Sequence, residues 1–187
     1  MRSLVYYVAV TLDGFIADTD GGADVFVQTP ELLGALFEDY PETCPAHVRD
    51  LLGVTGEARH FDTVVMGANT HQPALDAGLT SAYPHLAQYV VTHRALPDDP
   101  TVTAVVDPVA TVRELKQQDG LDLWLCGGGD LAAQLADEID ELHLKVSPVV
   151  LGAGVPLVGR GASLPPMELA GSQQLPGGVL LNRYVRA

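Results

Sequence analysis

Cysteine and long apolar runs are both scarce in this sequence. Only two cysteines occur, Cys44 and Cys126, and their surroundings lack the paired spacing of metal ligands. We therefore expect neither a disulfide framework nor a metal site. The apolar run at residues 4–10 is far shorter than the roughly twenty residues of a membrane-spanning helix, and an acidic residue follows it soon after. We interpret it as a strand and expect a cytoplasmic protein without a membrane partner.

Basic residues are also few. The chain has 10 Lys and Arg against 24 Asp and Glu, a formal net charge of −14 that is spread along the sequence. Such a charge opposes binding to the phosphate backbone of nucleic acids and to anionic lipid. We predict no nucleic-acid partner, and an anionic small molecule would need a local site such as a helix N-terminus or an arginine.

Internal repeats, low-complexity tracts and linker-like segments are absent too. At 187 residues with 47% hydrophobic composition, the chain is large enough to bury one full core. The sequence therefore predicts a single domain over residues 1–187.

The pattern that is present alternates short apolar runs with helical periodicity, which is typical of an α/β protein. Strands are predicted at residues 4–10, 63–67, 88–92, 101–106, 121–126 and 141–150. Helices are predicted at residues 29–38, with Thr29 as N-cap, and at 48–52, 107–120 and 130–139. Two final strands joined by the "PGG" at 176–178 predict an antiparallel hairpin, so the sheet should be mixed.

Three consecutive glycines, Gly127 to Gly129, separate a predicted strand from a predicted helix. With Ala132 they satisfy a G-x-G-x-x-A pattern, but the motif lies too late in the chain for a Rossmann fold and no acidic residue ends the next strand. A P-loop is excluded because no Lys-Ser/Thr pair follows. Two interpretations stay open: a turn whose bare backbone binds phosphate, or a plain tight turn with Asp130 as N-cap.

Five segments in order resemble the dihydrofolate reductase-like superfamily: "VYYVAVTLDGFIAD", "TVVMGANTH", "YVVTHR", "LWLCGGGDLAAQL" and "ELHLKVSPVVLGAGVPL". The chain is most similar to the branch that holds the C-terminal reductase domain of bifunctional riboflavin-biosynthesis proteins, over about residues 4–187. The resemblance implies a three-layer fold with a central, mixed, mostly parallel sheet, helices on both faces and a C-terminal antiparallel hairpin.

The resemblance also implies a nicotinamide cofactor, NADPH with NADH as the alternative. The implied cofactor-binding residues are Val8, Ala9 and Ile16 at the nicotinamide, Gly67, Ala68, Asn69 and Thr70 at one phosphate-contacting turn, Thr92, His93 and Arg94 at the adenosine ribose, and Gly127, Gly128, Gly129, Asp130 and Leu131 at the diphosphate. The family commonly has Arg where this chain has Ala68 and an aromatic residue where it has His71. Arg94 and His93 are therefore the candidate replacements for the missing positive charge.

Candidate catalytic groups are two carboxylates. Asp13 lies in the loop over the implied nicotinamide, and Glu31 lies near the helix position whose carboxylate holds the pterin ring in folate-reducing members. Simpler interpretations are a turn-forming Asp-Gly pair and a favourable acid in the first turn of a helix. We further predict that His143 lies on the polar face of a strand and that Trp124 and the tyrosines are core or interface residues.

These observations favour an NAD(P)H-dependent oxidoreductase that transfers hydride to a small, heterocyclic, pterin- or pyrimidine-like substrate. The alternative is a non-catalytic nucleotide- or flavin-binding protein with the same fold. The resemblance implies a homodimer, and the apolar segment at residues 147–159 either closes the core or pairs across a two-fold axis.

Overall fold

The computed structural model describes residues 1–187 and contains an eight-stranded sheet with the strand order β5-β4-β3-β6-β1-β7-β10-β9. The eight strands are β1 (Leu4–Thr11), β3 (Phe61–Gly67), β4 (Ala87–Val91), β5 (Val102–Val105), β6 (Asp122–Gly127), β7 (Glu141–Ser147), β9 (Met167–Gln174) and β10 (Leu180–Arg186). The helices are α1 (Pro30–Asp39), α2 (Ala46–Arg49), α3 (Ala68–Asp76), α4 (Pro108–Lys116) and α5 (Gly129–Gln134). A separate two-stranded sheet pairs β2 (Phe15–Ala17) with β8 (Val155–Pro156).

The central strands are parallel. β1 pairs in parallel with both β6 and β7, and β3 pairs in parallel with β6 and β4. Their apolar, β-branched composition suits strands that are covered on both faces. The carboxyl ends of β1, β3 and β6 therefore meet at one edge of the sheet.

The C-terminal hairpin is confirmed. β10 runs antiparallel to β7 and to β9, and the turn at Pro176–Gly178 joins the hairpin strands. Gly177 and Gly178 both have positive φ, at 72° and 74°, which glycine adopts without steric cost.

Each face of the sheet has its own apolar core. A cluster of 14 buried residues packs α1 against one face, and a cluster of 12 buried residues packs α4 and α5 against the other. Helices thus cover both faces, as expected for a three-layer α/β fold.

α1, α4 and α5 begin within one residue of their predicted starts; α1 ends one residue later than predicted, whereas α4 and α5 end earlier. Thr29 caps α1 by accepting the Leu32 N–H, and Asp107 caps α4 by accepting the Ala110 N–H. α5 ends at Gln134 because the chain turns at Leu135, whose carbonyl accepts the N–H groups of Glu138 and Ile139. Leu135 and Ile139 are both fully buried, so helical apolar spacing continues past the end of the helix.

Three elements differ from the sequence predictions. α2 starts at Ala46, two residues before the predicted helix at 48–52. α3 and the β2–β8 pair were not predicted. α3 contains Pro73 and has only one buried residue, His71, so its sequence carries little amphipathic signal. None of the helices has the length and apolar character needed to span a bilayer.

Candidate active site

A cleft of about 800 Å³ opens at the carboxyl ends of β1, β3 and β6. Ligands of open α/β sheets bind at this edge, where adjacent strands send their connections in different directions. Twelve of the predicted cofactor-binding residues line the cleft: Val8, Ala9, Ile16, Gly67, Ala68, Asn69, Thr70, Gly127, Gly128, Gly129, Asp130 and Leu131.

Two helices begin at the cleft without a side-chain cap. The N-cap of α3 is Gly67 and the N-cap of α5 is Gly128, and neither helix has a side chain that accepts its first N–H groups. By contrast, Thr29 and Asp107 cap α1 and α4. Because the first N–H groups of a helix have no partner within the helix, α3 and α5 leave theirs free for a ligand or water.

These two helix starts are close neighbours. A Cβ atom built on Gly67 would lie 3.9 Å from both the Gly127 carbonyl oxygen and the Gly128 nitrogen. We call the part of the cleft formed by residues 67–70 and 127–131 the glycine side. The free N–H groups at the starts of α3 and α5 both lie on this side of the cleft, and such groups bind anions such as a diphosphate.

The three consecutive glycines between β6 and α5 have different roles. Gly127 has a φ of 137°, a region that other residues rarely adopt. A Cβ on Gly129 would overlap the carbonyl oxygen of Pro156, whereas a Cβ on Gly128 would meet no atom within 4 Å. Gly129 is therefore needed for packing against β8, and Gly128 faces open space in the cleft. Asp130 is exposed and follows the N-cap, so the interpretation of Asp130 as N-cap is wrong.

The opposite wall of the cleft is aromatic and apolar. We call it the aromatic side and define it by six residues on β1, β6, β7 and α1: Tyr7, Trp124, Lys145, Leu33, Leu36 and Phe37. The Lys145 ammonium lies 3.9 Å from the centroid of the Tyr7 ring, and the Trp124 indole N–H donates to the Tyr7 carbonyl at 3.0 Å. Burial lowers the pKa of Lys145 to about 8 and raises the pKa of the nearby Cys126 thiol to about 12.

Comparison with known proteins decides the family. The profile of the RibD C-terminal domain matches residues 2–181. The chain belongs to this family. It is 31% identical to the uncharacterised protein YwjB of Bacillus subtilis over 192 residues, which covers 100% of this chain and 99% of YwjB. It is 26% identical to the uncharacterised protein YyaP of the same organism over 170 residues, covering 83% of this chain and 80% of YyaP.

Solved structures show the same fold. A riboflavin biosynthesis protein of Shewanella sp. PV-4 superposes with a TM-score of 0.65 at 24% identity, covering 100% of this chain and 99% of that chain. Dihydrofolate reductase from Enterococcus faecalis, in complex with NADP(H), superposes with a TM-score of 0.63 at 13% identity, covering 98% and 96%. The dihydrofolate reductase-like fold expected from the sequence is confirmed.

Five predicted site residues of this RibD C-terminal domain lie outside the cleft lining. Thr92, His93 and Arg94 follow β4, and the side chains of His93 and Arg94 are exposed. Only Val91, at the end of β4, reaches the cleft from this strand. The site roles of Thr92, His93 and Arg94 stay predictions, and any contact with a ligand has to come from the exposed rim.

The two carboxylates proposed for catalysis, Asp13 and Glu31, are the other outlying residues. The Asp13 carboxylate accepts the Thr11 hydroxyl at 2.6 Å and the backbone N–H groups of Leu151 and Gly152 at 3.1 and 2.7 Å. The Thr11 hydroxyl and these N–H groups lower the pKa of Asp13. Asp13 therefore joins the β1–β2 turn to the loop before β8. Glu31 is exposed in the first turn of α1, whose cleft-lining residues are all apolar. Neither placement supports a catalytic role.

Two histidines are buried. His143 lies on the polar face of β7, as predicted, but this face is covered: His143 is only 7% exposed and forms a hydrogen bond with the Tyr40 hydroxyl. His71 is 1% exposed and lines a second cavity of about 230 Å³ behind the cleft, where neither ring nitrogen has a hydrogen-bond partner. Burial lowers the pKa of His71.

The aromatic side was missed by the sequence analysis as a site. Tyr7 and Trp124 are core residues, as predicted, but they also line the cleft. For Lys145 the available signal was the alternation in "ELHLKVS", which places His143 and Lys145 on the same face of β7. Only the position of α1 shows that this face borders a cleft.

Proposed function

We propose that this protein is a reductase that binds a reduced nicotinamide dinucleotide and acts on a small heterocyclic substrate. The observation that carries the proposal is the pair of uncapped helix starts, α3 and α5, which meet across Gly67 and Gly128 at the edge of the sheet. Membership in the RibD C-terminal domain family and the fold shared with an NADP(H)-binding reductase support it.

The residues of the cleft fit such a cofactor. On the glycine side, N–H groups of residues 68–70 and 129–131 lack intrahelical partners and would hold the diphosphate. Val8, Ala9 and Ile16 would contact the nicotinamide, and all three are half-buried in the cleft wall. When bound, the cofactor supplies the hydride, while the protein contributes orientation and an apolar wall that excludes water.

A binding titration followed by turnover assays tests this proposal. We expect the purified protein to bind NADPH and to oxidise it in the presence of a member of a panel of pterins, pyrimidines and quinones. Tight NADPH binding without oxidation across the panel would favour a non-catalytic binding protein. A purified sample that carries a flavin spectrum and does not bind NADPH would contradict the nicotinamide proposal.

The preference for NADPH rests on a single cation, Arg94. The cleft lining has no cationic side chain on the glycine side, and Ala68 occupies the position where the family commonly has Arg. Arg94 lies past the end of β4, beside β3, and its guanidinium has no hydrogen-bond or ion-pair partner in the protein. We propose that this free guanidinium contacts the 2′-phosphate of NADPH.

We expect Arg94→Ala to weaken NADPH binding by about 1.5 to 3 kcal/mol, the range for a hydrogen bond to a charged group, and to leave NADH binding nearly unchanged. NADH serves as the internal control because it lacks only the 2′-phosphate. Titration of both cofactors against the parent and the variant provides the measurement. Equal losses for the two cofactors, or no loss for either, would show that Arg94 does not read the phosphate.

We also propose that the protein is cytoplasmic. Its two cysteines are unpaired, which suits a reducing compartment.

We further propose that the protein is a homodimer. The hairpin at the edge of the sheet exposes Leu169 and Leu180 on one face, at 59% and 40%, and a partner would cover them. In the segment at 147–159, β8 pairs with β2 and closes the fold, while Val150 stays 68% exposed. We expect light scattering at micromolar concentration to give the mass of two chains, and a monomer mass would refute the dimer.

A further inference from the structure

The cleft has an unusual distribution of charge. Among its lining residues, Lys145 is the only cationic side chain and Asp130 the only carboxylate. Asp130 lies on the glycine side, in the first turn of α5. The aromatic side therefore contains one positive charge and no negative charge, in a protein whose net charge is −14.

The Lys145 ammonium has no hydrogen-bond or ion-pair partner in the protein, and its one specific contact is the face of the Tyr7 ring. The only other lysine, Lys116, has two acceptors: its ammonium donates to the Glu138 carbonyl at 2.6 Å and lies 2.6 Å from the Asp140 carboxylate. An ammonium has three donors, and burying them without acceptors costs free energy. The unpaired donors of Lys145 thus face the cleft without the acceptors that Lys116 has.

The side chains packed around Lys145 are aromatic and apolar. Tyr7 stacks on Tyr40 with ring centroids 4.4 Å apart, and the Trp124 ring meets Tyr7 edge to face at 6.2 Å. α1 adds only apolar side chains to this side of the cleft. A carboxylate opposite a ring amidine, as in a pterin, gives that amidine its strongest, charge-assisted hydrogen bonds. The aromatic side does not supply one.

We propose that Lys145 is the specificity-determining residue of the cleft, and that it selects a flat, mostly apolar substrate bearing a carboxylate or carbonyl oxygen over one bearing an amidine. This inference rests on the proposed function in so far as the ligand is a substrate. The observations that support the selection by Lys145 do not depend on the cofactor. The Lys145 ammonium has no partner, aromatic residues surround it, and the aromatic side of the cleft has no carboxylate.

The surroundings of Lys145 leave its ammonium charged at neutral pH and able to lose its proton at moderately alkaline pH. Its register neighbours on β1 and β10 are Ala9 and Leu181, which do not titrate. The Tyr7 ring from β1 covers the ammonium, the Cys126 thiol from β6 is the titratable group that acts on its pKa, and α1 presents apolar side chains. With its pKa lowered to about 8 by burial, the ammonium is mostly charged at pH 7 and loses its charge as the pH rises above 8.

The test uses three probes of equal shape: 2-naphthoate, 2-naphthamide and 2-naphthamidine. Each is titrated calorimetrically into the full-length protein, alone and saturated with NADPH, at pH 7 and pH 9.5. We expect 2-naphthoate to bind at least tenfold more tightly than 2-naphthamidine at pH 7, and to lose most of this advantage at pH 9.5. Lys145→Met should abolish the preference, and Lys145→Arg should keep it in part. Thermal unfolding of both variants controls for folding, with Lys145→Gln as a third replacement if Met destabilises the protein.

Each outcome decides the proposal. Amidine binding as tight as carboxylate binding, unchanged 2-naphthoate affinity in a folded Lys145→Met, or no binding of any probe would overturn it. NADPH affinity is measured in the same variants, so that a loss of preference for 2-naphthoate is distinguished from a change in cofactor binding. If the parent fails to bind NADPH while 2-naphthoate binding still depends on Lys145, the proposed reductase function fails and the selection by Lys145 stands.

Discussion

Replacing Gly128 with valine is expected to weaken NADPH binding at least tenfold, about 1.4 kcal/mol, while the fold stays intact. Gly128 has an extended backbone, with φ of −98° and ψ of −168°, and no atom lies within 4 Å of the position of a Cβ. A branched side chain therefore fits the protein. It occupies the space between the two uncapped helix starts, where a diphosphate would have to approach the backbone N–H groups.

A matched glycine controls for the general effect of the substitution. Gly171 lies on β9, away from the cleft, and a Cβ there also meets no atom within 4 Å. Gly171→Val should leave NADPH affinity unchanged. Fluorescence titration of NADPH gives the affinities and thermal unfolding gives the stabilities. If a folded Gly128→Val variant binds NADPH as tightly as the parent, the diphosphate does not bind at the glycine side.

The strands and the glycine turn were predictable because their signals are local. Residues 63–67 and 121–126 are apolar, rich in β-branched or large side chains, and end at glycine, so β3 and β6 follow from composition alone. Thr29 and Asp107, each followed by proline, mark the starts of α1 and α4 in the same way. These signals predicted the elements, whereas the three-layer fold was implied by the resemblance of five segments, taken in order, to the dihydrofolate reductase-like superfamily.

The features that were not predicted correctly depend on contacts between residues far apart in the sequence. β2 and β8 are three and two residues long and exist only because they pair with each other across more than a hundred residues. Asp13 looked catalytic because it lies beside the cofactor segment, but its partners are the N–H groups of Leu151 and Gly152. Lys145 was overlooked because an isolated strand does not show which element covers its polar face.

The largest stability effect is expected at Glu42, which no sequence motif distinguishes from the other acidic residues. Its side chain is only 1% exposed and lies in the short 3-10 helix at Pro41–Thr43. The carboxylate accepts the backbone N–H groups of Arg59, His60 and Phe61 at 3.2, 2.9 and 3.0 Å. These three donors lie where the chain enters β3, the strand that leads to Gly67. The Glu42 carboxylate thus provides the hydrogen-bond acceptors for three consecutive backbone N–H groups that would otherwise have none.

We expect Glu42→Leu to lower the free energy of unfolding by about 3 kcal/mol, because it leaves three N–H groups unpaired, one buried and two partly buried, at a cost of about 1 to 3 kcal/mol for each buried group. Glu42→Gln should cost less, since one amide oxygen can still accept the N–H groups of His60 and Phe61. Glu114, exposed on α4, provides the control, and Glu114→Gln should change stability by no more than about 0.5 kcal/mol. Urea unfolding of the three variants measures these differences. Equal stability of Glu42→Leu and the parent would mean that other groups accept the three N–H groups, and that the entry to β3 does not depend on this carboxylate.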